Sequence, residues 1–358
     1  MYPLVSVSIV NWNGLRHIKK CLQSVYAQDY KGPIEIIVVD NASQDQSLEF
    51  IQDNFKDVII IKNKENKGFA YAHNQAIRIS KGEFNLFLNF DIFLEPMFIS
   101  AMVETISKDA LIGVVSGKLY KQLEGQKSTV LDSTGIMMQW CFMKPRGETE
   151  EDVAQYDTPE HRTIFGVCGA AAFCRKIALE DIKSGDEYFD EDFVNYVEDV
   201  DLSWRMQLRG WFCVYTPQAI AYHERGVTRK NNNKMLRSYL VFGFRNRYCS
   251  MFKNLTWHTI RANKIEIVGR EISFLVTRIK EIPYSVKLDA LIRAVLLLVK
   301  MIPKRMFIQR NRLADEEYMA VFFQYNKEAF RKEIRERCRM LSTEVGEKRR
   351  KKYFSRGN

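Results

Sequence analysis

The sequence lacks the cysteine and histidine patterns that mark redox and metal-binding proteins. Its 7 cysteines include no CxxC pair, and its histidines other than His223 show no metal-ligand spacing. A zinc ribbon or a dithiol redox site is therefore not expected. An odd number of scattered cysteines is typical of reduced, buried thiols in a cytosolic protein.

Long hydrophobic runs are also missing. The apolar run at residues 294–299 is interrupted by Lys300, whereas a membrane-spanning helix needs roughly 18 or more apolar residues. No basic segment precedes the apolar run at residues 5–10, so no signal peptide is expected. These two absences predict a cytoplasmic protein without spanning helices.

The familiar nucleotide-binding motifs are absent as well. No GxGxxG follows the first predicted strand, which argues against a nicotinamide-binding unit. The segment GVVSGKL at residues 113–119 has three residues between its glycines, and Leu119 follows its lysine. A P-loop has four residues between the glycines and Ser or Thr after the lysine, so we reject that interpretation.

The charge is distributed unevenly along the chain. Residues 1–224 carry 22 Lys and Arg against 32 Asp and Glu, whereas residues 225–358 carry 32 against 12. An acidic body joined to a strongly basic C-terminal part suggests that the two parts have different roles.

Hydrophobic periodicity predicts the order of the elements. Strand signals at residues 5–11, 34–40, 58–62 and 84–89 alternate with helix signals at residues 15–26, 46–55, 69–80 and 96–107. This order predicts an α/β fold with a parallel sheet and helices on both faces. A strand or loop at 163–174, a helix at 194–208 and a strand at 212–222 follow. From about Arg225 the pattern indicates long basic amphipathic helices with breaks at Pro283 and Pro303.

Polar side chains end each of the first four predicted strands. They are Asn11, Trp12 and Asn13, then Asp40 and Asn41, then Asn63, and finally Asn89 and Asp91. In an open parallel sheet, ligands bind outside the carboxyl ends of the strands. A carboxylate at such a position can hold a divalent cation that in turn binds a diphosphate. The sequence therefore predicts a ligand site at this edge.

Seven segments resemble, in order, the signature of glycosyltransferase family 2. They are VSVSIVNWNG, EIIVVDNASQDQS, NKENKGFAYAHNQAI, LFLNFDIFLEP, GVCGAAAFCRK, YVEDVDLSWRMQLRGW and AYHERG, and together they cover about residues 4–225. The resemblance is closest to bacterial rhamnosyltransferases of cell-surface polysaccharide biosynthesis. Each motif alone is weak, but their common order and spacing are specific.

The resemblance implies a fold, a domain division and a reaction. The fold would be GT-A, a Rossmann-like nucleotide-diphospho-sugar transferase with a mostly parallel sheet flanked by helices and a C-terminal helical extension. Residues 1–225 would form the transferase domain, 226–346 the basic amphipathic helical extension and 347–358 a disordered basic tail. The reaction would be inverting transfer of a sugar, with rhamnose favoured, from dTDP-rhamnose or a UDP-hexose to a lipid-linked saccharide acceptor.

The resemblance also assigns roles to individual residues. Asp199 would be the general base, and Asp91 with His223 would hold Mg²⁺ or Mn²⁺ on the diphosphate. The residues implied to bind substrate are Asn11, Trp12, Asn13, Asp40, Asn66, Gly68, Asn74, Asn89, Gly169, Ala170 and Glu198. Asn89 departs from the acid expected at the first position of the family's DxD motif. Acids at a helix start, such as Glu198, are also ordinary first-turn residues.

The basic C-terminal part has three open interpretations. Basic residues interleaved with aromatic and aliphatic ones fit an anionic membrane surface, a nucleic acid, or a helical unit that packs on the body or on a second subunit. We favour peripheral association with the inner face of the cell membrane and expect no nucleic-acid partner, and a homodimer stays open. The alternative to an enzyme is a catalytically inactive sugar-nucleotide-binding scaffold that acts through these helices.

Overall fold

The computed structural model describes residues 2–123, 125–139, 142–151, 154–159, 162–225, 233–277 and 282–322. The predicted basic tail at residues 347–358 lies outside these residues, as do residues 323–346 of the predicted helical extension.

Alternating strands and helices form the first part of the chain, followed by a helical C-terminal part. The strands are β1 (Val5–Asn11), β2 (Ile34–Asp40), β3 (Ile59–Lys62), β4 (Phe84–Asn89), β5 (Ile92–Leu94), β6 (Ile112–Leu123), β7 (Gln126–Ser133), β8 (Ile136–Gln139), β9 (Phe142–Pro145), β10 (Ala171–Arg175) and β11 (Phe212–His223). The helices are α1 (Leu15–Tyr26), α2 (Ser47–Asn54), α3 (Gly68–Ile79), α4 (Phe98–Ser107), α5 (Lys176–Ile182), α6 (Glu198–Leu208), α7 (Asn233–Asn254), α8 (Trp257–Ala262), α9 (Lys264–Thr277), α10 (Tyr284–Arg310) and α11 (Glu316–Val321).

Within the described residues, nine strands form one mixed sheet. Its order is β3-β2-β1-β4-β10-β6-β11-β5, with β7 paired to β6. Strands β1 to β4 are parallel to their neighbours among themselves, and β6 is parallel to β11. Strand β10 runs antiparallel to both β4 and β6, and so joins the two parallel parts. The prediction of a mostly parallel α/β sheet flanked by helices is confirmed.

The central strands are buried on both faces, and the small number of polar side chains within them are buried as well. Every residue of β1 except Val10 is buried, and in β4 only Asn89 is not. Near-continuous apolar runs of this kind are typical of parallel strands that are covered on both faces. Ser6 and Ser8 of β1 and Asn85 of β4 are polar residues buried within the strands, whereas Asn11, Asp40 and Asn89 lie at the strand ends, where the site lies.

Two predicted element boundaries are wrong for reasons that depend on backbone geometry. Helix α6 begins at Glu198 rather than at Val194, because Val194, Tyr196 and Val197 all have positive φ angles, which a right-handed helix does not allow. The predicted break at Pro303 is also wrong, since α10 continues through it to Arg310. Pro303 is solvent-exposed, so water can reach the carbonyl group that loses its backbone donor.

The C-terminal helices α7 and α10 pack on the body through their buried residues. Those of α10 include Val286, Ala290, Ala294, Met301 and Ile308. Cys249 of α7 belongs to a hydrophobic cluster with Ala294, Met301 and Phe193, and Phe193 lies in the segment before α6. Among the described helices, none combines the length and the apolarity needed to cross a membrane.

Candidate active site

The carboxyl ends of four neighbouring strands, β3, β2, β1 and β4, meet at one edge of the sheet. In the parallel register Asn11 of β1 is opposite Asp40 of β2, and Val10 of β1 is opposite Asn89 of β4. The sequence could predict that these polar residues follow strands, but their adjacency depends on which strands pair. The third strand end is there as well, since Lys62 of β3 is opposite Asp40 and Asn63 Nδ2 donates to Asn41 Oδ1 at 3.0 Å. The structure therefore brings together all four predicted strand ends.

Asn11 and Asp40 form a buried polar pair at the centre of this edge. Asn11 Nδ2 donates to Asp40 Oδ1 at 2.9 Å and to Ser47 Oγ at 2.8 Å. The other carboxylate oxygen of Asp40 accepts from the backbone N–H of Ser43 at 3.1 Å. Both side chains are at most 2% exposed. These donors fix the orientation of the carboxylate and replace part of its hydration.

The residues that follow β1 are more accessible. Trp12 is half-buried and Asn13 is exposed, with φ of 53°. Asn13 Oδ1 accepts from the backbone N–H of Gln44 at 2.7 Å, which ties this loop to the loop after β2. Asn13 N and Asn11 Nδ2 both donate to Ser43 Oγ, each at 3.0 Å, so the loop after β1 borders the Asn11–Asp40 pair.

The start of α3 forms a second wall. Asn66 is exposed, and its Oδ1 accepts from Gly68 N at 2.9 Å and from Asn41 Nδ2 at 3.0 Å. Gly68 has φ of +86°, and a Cβ atom there would lie 2.6 Å from the carbonyl oxygen of Val194. Only glycine combines this backbone angle with so close an approach.

Asn74 lies away from this surface. Its side chain is fully buried: Nδ2 donates to Phe189 O at 2.8 Å and to Glu191 Oε1 at 2.9 Å, while Oδ1 accepts from Phe189 N at 2.9 Å. Both ends of the amide are thus used by the protein. In the structure Asn74 fixes the segment that leads to α6 and presents no free polar group to a ligand.

The segment Gly169–Ala170 connects α6 with β4. Gly169 N donates to Asp199 Oδ2 at 2.8 Å, and Ala170 O accepts from Asn89 N at 2.9 Å. A Cβ atom on Gly169 would lie 3.1 Å from the Cβ of Asp199. Through these two bonds, Asp199 is held beside the strand end that leads to Asp91.

The two acids at the start of α6 have different surroundings. Burial raises the pKa of Asp199, although backbone N–H donors at Gly169 and Val200 oppose the shift. Burial also raises the pKa of Glu198 well above its usual value, and the charge of Asp199 adds to the shift. Glu198 Oε2 is buried without a hydrogen-bond partner in the part of the chain that the structure describes. Glu198 is therefore favoured as a neutral acid and Asp199 as a carboxylate of raised basicity.

Asp91 and His223 face each other across β5 and β11. His223 Nε2 lies 3.5 Å from Asp91 Oδ1, and His223 Nδ1 lies 2.8 Å from Asp132 Oδ2. Arg225 Nε lies 2.5 Å from the other oxygen of Asp132. Burial would lower the pKa of His223, but the charges of Asp91 and Asp132 outweigh it and raise the pKa to about 9.

This arrangement fits a divalent cation with few protein ligands. Two atoms that each lie about 2.1 Å from one ion at angles of 90 to 110° are roughly 3.0 to 3.5 Å apart, and Asp91 and His223 have that separation. The hydrogen bond to Asp132 keeps one proton of His223 on Nδ1. Because the pKa of His223 is raised to about 9, a cation would have to displace the proton on Nε2 before that nitrogen could act as a ligand. No group of three or more His, Cys, Asp or Glu suited to a metal occurs among the described residues, so a diphosphate and water would have to complete the coordination.

Asp132 and Arg225 were not found by reasoning from the sequence. Asp132 is a fully buried acid at the end of β7, 91 residues from His223 along the chain. Its pKa is raised by burial but lowered further by His223 and Arg225, so that the net shift is downward. The available signal was a single acid directly after two apolar residues, in the segment VLDS. Its partners are set by the pairing of β7 with β6, which the sequence does not show.

Known structures with this architecture are GT-A glycosyltransferases. A mannosyltransferase of Pyrobaculum calidifontis, solved in complex with GDP-Man and Mn²⁺, superposes with a TM-score of 0.51 at 16% identity and covers 87% of this chain and 84% of its own. At this identity the likeness establishes the fold alone. The chain has the predicted GT-A fold.

The sequence comparisons identify the family. A model described as Glycosyl transferase family 2 matches residues 6–182. An N-acetylglucosaminyltransferase of Azorhizobium caulinodans is 27% identical over 228 residues, which are 61% of this chain and 54% of that protein. A dolichyl N-acetyl-alpha-D-glucosaminyl phosphate 3-beta-D-2,3-diacetamido-2,3-dideoxy-beta-D-glucuronosyltransferase of Methanococcus voltae is 23% identical over 252 residues, or 67% and 71% of the two chains. The chain belongs to glycosyltransferase family 2.

The predicted closeness to rhamnosyltransferases is not supported. The names of these relatives refer to acetamido sugars rather than to rhamnose. The motifs that suggested the closer relationship lie mainly at the strand ends and at the start of α6. Such motifs carry little information about the sugar.

We expect Asp132→Asn to weaken divalent-cation binding about 10- to 100-fold, because the charge that orients and polarises His223 is removed. Titration of Mn²⁺ in the presence of a nucleoside diphosphate, followed by the electron paramagnetic resonance of the free ion, measures this affinity. Asp157→Asn is the matched control, since Asp157 is also ion-paired, with Lys118 at 2.6 Å. Equal Mn²⁺ affinity in both variants and the wild type would contradict the assignment.

Proposed function

We propose that this chain is an inverting glycosyltransferase that moves a sugar from a nucleoside-diphosphate donor to a hydroxyl group of a lipid-linked saccharide. One observation carries the proposal: Gly169–Ala170 bonds Asp199 on one side and Asn89 on the other, at 2.8 and 2.9 Å. A basic carboxylate is thereby held next to the strand end that presents Asp91. The reaction needs both groups, one for the attacking hydroxyl and one for the leaving diphosphate.

Asp199 is proposed as the general base. The acceptor oxygen forms a bond to the anomeric carbon and gives its proton to Asp199, while the bond from that carbon to the diphosphate breaks. The configuration inverts because the hydroxyl attacks opposite the leaving group. The raised pKa of Asp199 supports this role, since a carboxylate of higher basicity accepts a proton more readily.

Asp91 and His223 are proposed to hold Mg²⁺ or Mn²⁺. When bound, the ion would neutralise the charge that develops on the departing diphosphate. A nitrogen ligand such as His223 favours Mn²⁺ over Mg²⁺. Asn89, in place of a second acid, would keep the charge of the site low while its amide can still bond to ribose or to water.

The nucleotide is proposed to lie along Asn11, Trp12, Asn13 and Asp40, with Asn66 and Gly68 beside its phosphates. The N3–H of uracil or thymine is a donor, and the Asp40 carboxylate is an acceptor at the depth of this pocket. The names of the relatives favour an N-acetylated hexosamine as the sugar, and the Methanococcus voltae name favours a lipid-linked acceptor. UDP-N-acetylglucosamine is therefore our first donor candidate, ahead of dTDP-rhamnose.

Residues 1–225 are proposed as the catalytic domain, and the helices that follow as the part that meets the membrane. The outer face of α10 supports this, because it exposes a continuous apolar stripe. The α10 stripe consists of Leu288, Leu291, Ile292, Val295, Leu296, Val299 and Ile302, each at least 44% exposed. Arg293, Lys300 and Arg310 are exposed near it. An apolar stripe flanked by cations fits an anionic lipid surface.

We expect Asp199→Asn to lower kcat by about 100- to 10,000-fold while the Kd for the nucleoside diphosphate stays within threefold, because only proton transfer is lost. Asp186→Asn, an exposed acid in the preceding segment, serves as the control. In the wild type, kcat/KM should fall tenfold per pH unit below the raised pKa of Asp199, at a higher pH than for an ordinary aspartate. Equal kcat for Asp199→Asn and wild type would eliminate Asp199 as the base, and a wild type without turnover on any acceptor would favour the inactive scaffold.

We expect UDP-N-acetylglucosamine with Mn²⁺ to raise the melting temperature more than GDP-mannose does, since a ligand at 100 times its Kd adds about 2.7 kcal/mol to the free energy of unfolding. Differential scanning fluorimetry with a panel of nucleotide sugars measures the shift. A larger shift with dTDP-rhamnose would restore rhamnose as the transferred sugar. A larger shift with GDP-mannose would remove the proposed role of Asp40.

We expect the double variant Leu296→Asp/Val299→Asp to lose sedimentation with phosphatidylglycerol vesicles, because two charges would enter the apolar stripe. Both side chains are more than 70% exposed, so the fold should be retained. Met97→Asp, at an exposed apolar position of the body, should sediment like the wild type. Unchanged vesicle binding would refute the membrane proposal, and a change in oligomeric state alone would identify the stripe as a subunit interface.

A further inference from the structure

The segment before Asp199, the proposed base, has backbone φ angles that its residue types disfavour. Val194, Tyr196 and Val197 have φ angles of 64°, 71° and 69°. A β-branched or aromatic residue in this region costs on the order of 1 to 3 kcal/mol. Three such residues within four positions will not keep this conformation unless neighbouring groups hold it. Because the segment runs directly into Glu198 and Asp199 at the start of α6, its shape determines where the base lies.

Asn246 of α7 holds this segment through its side-chain amide. Its Nδ2 lies 2.8 Å from Phe193 O, 2.9 Å from Asn195 O and 2.8 Å from Tyr196 O. The side chain is fully buried. The two N–H bonds of this amide are therefore shared among three carbonyl groups of the strained backbone, whose own secondary structure does not satisfy them.

Arg245 fixes the orientation of that amide and adds two bonds of its own. Arg245 Nε donates to Asn246 Oδ1 at 2.8 Å, so the amide oxygen points away from the segment and Nδ2 towards it. Arg245 Nη2 donates to Asp192 O at 2.8 Å and to Phe193 O at 3.0 Å. Tyr239, about two turns earlier on α7 and partly buried, packs edge-on against Tyr196 with ring centroids 4.7 Å apart.

Ion pairs attach helices α7 and α10 to acids that lie before Asp199 and after it along the chain. Lys253 Nζ lies 2.5 Å from Asp190 Oδ2 and 2.9 Å from Asp201 Oδ1, and all three side chains are at most 3% exposed. Lys304 of α10 lies 2.5 Å from Asp190 and 2.9 Å from Asp192. Removing one partner of such a pair leaves a buried charge uncompensated, so α7 and α10 cannot leave this region without a large penalty.

We propose that Asn246 is a positioning residue for the reaction: by bonding Phe193, Asn195 and Tyr196 it holds the strained segment in the one backbone shape that places Asp199 against Gly169. The basic C-terminal helices are in this view part of the catalytic apparatus and not only an attachment to other surfaces. The proposal rests on the proposed role of Asp199 as base. It assigns Asn246 no contact with substrate.

We expect Asn246→Ala to lower kcat about 100-fold, the loss that a displacement of about 1 Å causes in a reacting group. The Kd for the nucleoside diphosphate should stay within threefold, because the Asn11–Asp40 pair does not contact Asn246 and the bonds from Phe69 and Ala70 to the segment remain. Hydrogen exchange of the peptide covering residues 190–200 should accelerate. Arg237→Ala, which breaks an exposed ion pair with Asp289 on α10, is the control. It should leave kcat, the Kd for the nucleoside diphosphate and the hydrogen exchange of residues 190–200 unchanged.

Asn246→Asp separates hydrogen bonding from packing. The substitution keeps the shape of the side chain but replaces the donor with an oxygen that faces three carbonyl groups, so we expect the same defects as in Asn246→Ala. Wild-type kcat and exchange in Asn246→Asp would show that only volume matters and would overturn the proposal. If both variants fail to fold, Arg245→Ala is tested instead. Arg245 is only partly buried, so the fold should tolerate its loss, and its removal frees the amide of Asn246 that it orients.

The outcomes also separate this proposal from the proposed function. If Asp199→Asn is as active as the wild type, or if the wild type shows no turnover, the assignment of the base fails. The hydrogen exchange of residues 190–200 then still decides whether Asn246 holds the segment. Unchanged exchange in Asn246→Ala overturns the positioning role whatever the activity.

Discussion

The site depends on two backbone groups, the N–H of Gly169 and the C=O of Ala170. Consecutive along the chain, they bond Asp199 at the start of α6 and Asn89 at the end of β4. The distance between Asp199, the proposed base, and the strand end that leads to Asp91, the proposed metal ligand, is thus set by a peptide segment rather than by flexible side chains. Small residues are required there because the Cβ of Asp199 lies within contact distance of Gly169. A larger residue would displace Asp199 from the edge of the sheet.

Part of the division between an acidic body and a basic C-terminal part is explained by ion pairs between the two. Acids cluster before and within α6, and lysines of α7 and α10 direct their ammonium groups against Asp190, Asp192 and Asp201. The lysine pairs hold the pKa of Asp190 well below its usual value despite its burial. The two faces of α10 therefore differ. One face pairs Lys304 with the acids that precede α6, and the other exposes aliphatic side chains and cations.

Much of the fold followed from periodicity, and the failures have identifiable causes. The four strand and helix pairs of the first 110 residues were predicted within about two residues, because the strands are short segments rich in β-branched and other apolar residues and the helices are longer and amphipathic. The start of α6 was misplaced because Val194 and Val197 adopt backbone angles that their types disfavour. The residue types in this segment do not indicate such angles. Pro303 was predicted to break the helix because a proline removes a backbone hydrogen bond. Whether water can replace that bond depends on which face of α10 is exposed, and the sequence does not show this.

The sequence by itself determined which residues lie at strand ends, and with them the identity of most candidate groups: Asn11, Asp40, Asn89 and Asp91. A period of two or 3.6 residues and the chemistry of turns act over a few positions, so this information is local. Only the tertiary structure decided that Asp132 orients His223, that Asn74 is withdrawn into the interior, and that Asn246 supports the segment before Asp199. Each of these contacts joins residues between 50 and 117 positions apart. Their formation depends on strand pairing and helix docking, which the order of residues along the chain does not reveal.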